Sequence, residues 1–131
     1  MATIEKFEDL EIWKKSRILN QEIYLIFQAE VCSRDFSLKD QMYRSSGSIM
    51  DNIAEGFERS GNGEFHQFLA ISKGSCGEIR SQLYRCLDRK YITNEKFETL
   101  VNSALEISKM ISNFMNYIRN SGIKGDKYKK Q

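Results

Sequence analysis

Few residues in this chain offer acid–base, nucleophilic or metal-binding chemistry. His66 is the single histidine, set between Glu64 and Gln67 near the start of a helical run. An imidazole works as a general base only beside a group that orients it and a proton it can take, and the sequence supplies no such company. Ferritin-like bundles hold two irons with a glutamate three residues ahead of a histidine; here that place is Gly63. Zinc asks for several Cys or His ligands at set spacings, and Cys32, Cys76 and Cys86 form no Cys-x-x-Cys pair. The Gly-Asn-Gly-Glu stretch at 61–64 lacks the preceding strand that a phosphate loop or dinucleotide fingerprint needs. With no plausible set of acid, base and nucleophile, the chain reads as a non-enzyme with no metal and no cofactor.

Cations beside tyrosines offer a different chemistry: they can hold phosphates and stack on bases. Lys73 and Arg80 share one face of an expected helix, with Tyr84 next along it. Arg85 and Arg89 form an i,i+4 pair on another face, followed by Lys90 and Tyr91. Glu78 and Asp88 dilute this charge, so a solvated face is the competing reading. Net charge is +2, too little to argue for nucleic acid by itself. Its distribution is uneven. Arg119, Lys124, Lys127, Lys129 and Lys130 stand against Asp126 alone, which leaves the rest of the chain slightly acidic. The candidate contacts are therefore Lys73, Arg80, Arg85 and Arg89, with Lys127, Lys129 and Lys130 in the tail.

Four amphipathic stretches must position these groups. The first runs from about Glu8 to Glu30, with Ile12, Ser16, Leu19, Ile23 and Ile26 at helical steps. The second runs from Leu38 to about Phe57, with Ser37 as its N-cap. Gly61 and Gly63 offer positive φ for the next turn, and Asn62 a helix start. The third helix covers about Glu64 to Asp88. The fourth runs from a Thr93 cap to about Asn120, with Gly122 as its stop. Proline is absent and there are eight glycines, which favours long helices. The expected fold is all-α: an antiparallel up-down-up-down four-helix bundle. It forms one domain over 1–122, followed by a short basic tail at 123–131, read as disordered.

Small residues cluster at Ser45–Ser48 and again at Ser72–Gly77. A glycine inside a helix costs about 1 kcal/mol relative to alanine, so Gly47, Gly74 and Gly77 need a reason. Antiparallel pairing about residues 60 and 61 puts Gly47 level with Gly74, which predicts close backbone approach and serine hydroxyls bonding across or to the preceding turn. Gly74→Leu would then be strongly destabilising. Asn52 falls on or beside the buried stripe and needs partners, with Ser72 or Ser75 within a turn of its level. Glu55, near a helix end where the dipole does not help it, seeks Arg59, Arg44 or Arg80. The expected role of Asn52, Glu55 and Ser75 is structural, and a ligand or subunit contact is the rival reading.

An odd cysteine count without a Cys-x-x-Cys pair reads as reduced thiols in a cytoplasmic protein, with Cys76 and Cys86 as small core residues. The segment MATIEKFEDLEIW carries no signal-peptide pattern, and no apolar run approaches the ~18 residues that would span a membrane. Phe7, Trp13 and Tyr24 widen the first helix beyond the needs of one bundle core, which points to pairing with copies of itself.

Three stretches together carry a family resemblance: FEDLEIWKKS, then Gln41 followed by RSSGSIMDNIAEGFERS, then EFHQFLAISKGSCGEI. From Phe7 to about Ile118 the chain resembles the bacterial four-helix-bundle proteins encoded in intervening sequences of large-subunit ribosomal RNA genes. That family is related to the accessory variability determinant of diversity-generating retroelements. The resemblance implies an antiparallel four-helix bundle assembling as a ring-like homopentamer. For the retroelement branch it implies a basic barrel that binds nucleic acid and a reverse transcriptase; the near-neutral folded body here departs from that branch. The combined expectation is a non-enzymatic, self-assembling bundle that binds RNA, DNA or a nucleoprotein partner. Its rival is a purely structural homo-oligomer without a nucleic-acid ligand.

Overall fold

A computed structural model describes residues 4–121. Four helices follow in order: α1 (Glu11–Ile26), α2 (Phe36–Glu58), α3 (Asn62–Asp88) and α4 (Asn94–Ser121). Each helix packs on its neighbour in sequence, and α1 closes against α4. The result is an all-α bundle with no strand among the described residues. Its core is the expected stripe: Ile12, Leu19 and Ile23 from α1 meet Met42, Ile49 and Ile53 from α2, all nearly inaccessible. Phe65, Ile79 and Leu83 from α3 and Ile107, Ile111 and Ile118 from α4 complete it. The basic tail at 123–131, with Lys127, Lys129 and Lys130, and the stop at Gly122 lie outside the described residues.

The first helix is shorter than its hydrophobic pattern. Phe7–Asp9 form a separate 3-10 turn before it, and Trp13 packs edge-on against Phe7 with ring centroids 5.1 Å apart. At its far end the chain turns rather than continuing to residue 30. Phe27 and Cys32 are both buried there, and the Cys32 thiol donates to the Ile26 carbonyl at 3.1 Å. Apolar side chains in this connection thus extend the helical pattern while their backbone is already folding back.

Two caps differ from expectation. Asp35, not Ser37, starts α2: its Oδ1 accepts from the Leu38 amide at 3.3 Å. Ser37 instead accepts from the Gln41 side chain one turn on. In the α2–α3 turn the left-handed residue is Ser60, with φ 68. Gly61 is extended, with φ −100, and Gly63 already belongs to α3. Thr93 does cap α4, its hydroxyl accepting from the Lys96 amide at 3.1 Å. At the end of α3, Lys90 takes φ 61, and the amides of Lys90 and Tyr91 return to the carbonyls of Leu87 and Cys86. This is the Schellman arrangement, with lysine where glycine is usual.

The serine links between α2 and α3 form as the antiparallel register predicts. Ser72 donates to the Ile49 carbonyl at 2.6 Å, and Ser75 bonds the Ser48 hydroxyl at 2.9 Å. The glycines behave otherwise. A Cβ on Gly47, Gly74 or Gly77 would meet nothing within 4 Å. Gly74 is exposed, because a two-residue step along a helix turns about 200° and swings it away from the buried Ser72 and Cys76. The close approach falls instead at Gly56, where a Cβ would lie 2.7 Å from Phe68 Cβ. Gly74→Leu is thus not the damaging change the small-residue pattern predicts. Gly74→Ala is expected to raise stability by up to about 1 kcal/mol, read as a higher melting temperature; a lower one would restore the close-approach reading.

Candidate nucleic-acid interface

Helix α3 divides the candidate cations between two flanks. His66, Lys73 and Arg80 recur every seven residues, and Tyr84 stands one turn beyond Arg80. Such spacing keeps them on one side of the helix. Contacts at both ends place that side next to α4: Arg119 Nη2 lies 2.7 Å from His66 Nε2, and Tyr84 packs edge-on against Phe97 at 4.8 Å. Among the described residues no carboxylate pairs with Lys73, Arg80 or Arg119. The seven-residue step separates Lys73 from Arg80 by about 10 Å along the axis. Tyr84 is 55% exposed, leaving part of its ring open beside Arg80.

Arg85 and Arg89 point the other way, toward α2, and are engaged there. Arg85 Nη1 donates to Gln41 Oε1 at 3.1 Å. Arg89 Nη1 pairs with Asp35 Oδ2 at 2.7 Å, an oxygen that also accepts from the Tyr91 hydroxyl at 2.7 Å. Hydrogen bonding from Tyr91, then from the Leu38 amide and Arg89, holds the Asp35 carboxyl below its ordinary range, while the same bond pushes the Tyr91 hydroxyl up. These two arginines knit α3 to the start of α2, whereas His66 and Arg119 stand on the Lys73–Arg80 flank.

Asn52, Glu55 and Ser75 form local links. Asn52 Nδ2 donates to the carbonyl and hydroxyl of Ser48, both at 2.9 Å. It reaches Ser75 through Ser48 rather than bonding α3 itself. Glu55 pairs with Arg59 at 3.0 Å, and Arg59 also reaches Glu64 at 3.4 Å, bridging the α2–α3 turn.

Among the described residues, no three metal-ligating His, Cys, Asp or Glu side chains come together, and no helix is long and apolar enough to cross a membrane. All three cysteines are free and buried. Burial pushes the thiols of Cys76 and Cys86 up to about 12 and raises that of Cys32, the opposite of what a nucleophilic thiolate needs.

Comparison with known proteins agrees with the architecture. The chain is 26% identical to a Bacteroides thetaiotaomicron VPI-5482 protein of unknown function from the S23 ribosomal protein family, known from a crystal structure. The match covers 79% of this chain and 97% of that one, with a TM-score of 0.73. No curated protein matches. Residues 8–113 match the family model described as 23S rRNA-intervening sequence protein. With most of its length inside that match, the chain belongs to the 23S rRNA-intervening sequence protein family.

Proposed function

We propose that this protein is a non-enzymatic, self-assembling helical bundle of the cytoplasm that binds nucleic acid, or a nucleoprotein partner, along the α3–α4 flank. The observation that carries this reading is the row Lys73, Arg80 and Arg119 without an acidic partner among the described residues, beside the half-open Tyr84. Unpaired cations at helical spacing meet phosphates, and an exposed ring beside them stacks on a base. The family's description names an intervening sequence of 23S rRNA, and structured RNA is the first ligand to test. Self-assembly draws support from Ile18 and Leu25, which are seven residues apart on α1 and 62% and 50% exposed. A homopentamer is the assembly we propose.

Titration with RNA and DNA over a salt series tests the binding. Replacing both Lys73 and Arg80 with alanine is expected to weaken binding and lower the log K against log salt slope by about 2, roughly one per lost phosphate contact. Arg89→Ala should leave that slope unchanged, since its charge is already met by Asp35. Flat or absent binding at low salt would leave the purely structural homo-oligomer as the better reading. Light scattering after size exclusion tests assembly, and a clean monomer at high concentration would overturn it.

A further inference from the structure

The contact between His66 and Arg119 fixes a protonation state. Arg119 Nη2 lies 2.7 Å from His66 Nε2. A guanidinium only donates, so Nε2 must accept, and the ring is neutral with its proton on Nδ1. An imidazolium carries a donor on both nitrogens and would set N–H against N–H and charge against charge. The pair is open to a ligand from outside, since Arg119 is exposed and His66 half-buried. Charge around it is of one sign. From α4 the group that faces His66 is Arg119. Along α3 the next charged group on that side is Lys73, about 10 Å further along the axis. Glu55 and Glu64, near the same end of the bundle, are both paired with Arg59 at the α2–α3 turn. Among the described residues no carboxylate stands within ion-pairing distance of His66, Lys73 or Arg119. An imidazolium here would have no acid of the protein to meet, whereas a phosphate would meet both it and Arg119.

We propose that a phosphate of the bound nucleic acid displaces the ring nitrogen from Arg119, while His66 takes a proton from water and donates to that same phosphate. The inference rests on the nucleic-acid reading of the α3–α4 flank and adds a proton to it. Two groups that hold each other in the free protein become two donors on neighbouring helices with one acceptor between them. Binding then takes up one proton, so affinity rises as pH falls. His66 is the single histidine, and imidazole is the side chain that ordinarily changes charge between about pH 5 and 8. Asp35 and Tyr91, displaced downward and upward from their ordinary values, keep their charge through that range.

The test is a titration of the full chain with a labelled RNA hairpin at fixed salt, from about pH 8 to about pH 5.5. Affinity is expected to rise about tenfold across that range, the worth of one charge-assisted hydrogen bond. The log K against log salt slope should steepen by about 1 at the acid end. His66→Gln, which cannot take up a proton, should give a flat profile, and Arg119→Gln should weaken binding at every pH. A second readout needs no RNA: nitrogen resonances of the imidazole at the alkaline end of the range should show Nδ1 protonated and Nε2 bare. If RNA binds with a flat wild-type profile, the proposal fails and the nucleic-acid reading stands. The proposal fails equally if the rise survives in His66→Gln, or if Nε2 carries the proton in the free protein. No binding of the hairpin at any pH overturns both the proposal and the reading beneath it.

Discussion

Gly56→Ala is expected to lower the unfolding free energy by about 1–3 kcal/mol, the range for an overpacked contact. The added methyl would lie 2.7 Å from Phe68 Cβ and 2.8 Å from Phe65 Cδ1. Phe68 Cβ is fixed to the α3 backbone, so no rotation of its ring relieves the clash. The Phe65 ring is itself hemmed in, with Phe57 at 6.0 Å and Phe114 at 5.5 Å between centroids. The two helices must therefore separate at the end nearest their turn, which spans only Arg59, Ser60 and Gly61. Ser60 already sits at positive φ there, so the turn has little freedom to follow. Urea unfolding reads the effect as a lower midpoint at unchanged slope. An unchanged midpoint would show that the helices part without loss.

Asp35→Ala is expected to have the next largest effect. One carboxylate caps α2, pairs with Arg89 and accepts from Tyr91. It thereby ties the start of α2 to the α3–α4 connection. Loss of the cap alone is worth about 1 kcal/mol, and the variant also strips Arg89 and Tyr91 of their acceptor. The pH dependence has a definite sign. The folded-state pKa of Asp35 is lowered, so its contribution is complete above the unfolded value, near 3.8. It is lost as pH falls through the folded value. Tyr91 runs in reverse: its raised pKa makes its contribution complete below the unfolded value and lost at alkaline pH. Asp35→Asn keeps a side-chain oxygen for the cap but should flatten the acid limb of the stability profile. Parallel profiles for wild type and Asp35→Asn below about pH 4 would contradict this assignment.

The bundle was legible because its helices are long and strongly periodic. Ile12, Leu19 and Ile23, then Leu38, Met42 and Ile49, fall on one stripe at helical spacing, and each is buried. Glu55 with Arg59 was legible for a related reason, since partners four residues apart need only the helix to meet. The small-residue cluster marked the right pair of helices but lost the phase. Ser72 and Ser75 turn inward while Gly74 between them turns out, and a block of residue types does not carry that angle. Distance in sequence hid the rest. Arg85 and Arg89 find Gln41 and Asp35 from 44 and 54 residues away, and His66 finds Arg119 from 53. Ser37 and Asp35 are both competent caps; Asp35 also gains Arg89 and Tyr91, partners that no local pattern reveals.

The three buried thiols give the molecule reporters of its own breathing. With Cys76 and Cys86 held as thiols up to about pH 12 by burial, an alkylating reagent at neutral pH reacts with them only after the chain opens. The sulfurs mark different places: Cys32 the α1–α2 connection, Cys76 the middle of α3, and Cys86 its end against Met42. The order in which they acquire label is therefore the order in which those regions come apart. That time sequence can be read by mass spectrometry on the unmodified protein, with no probe introduced.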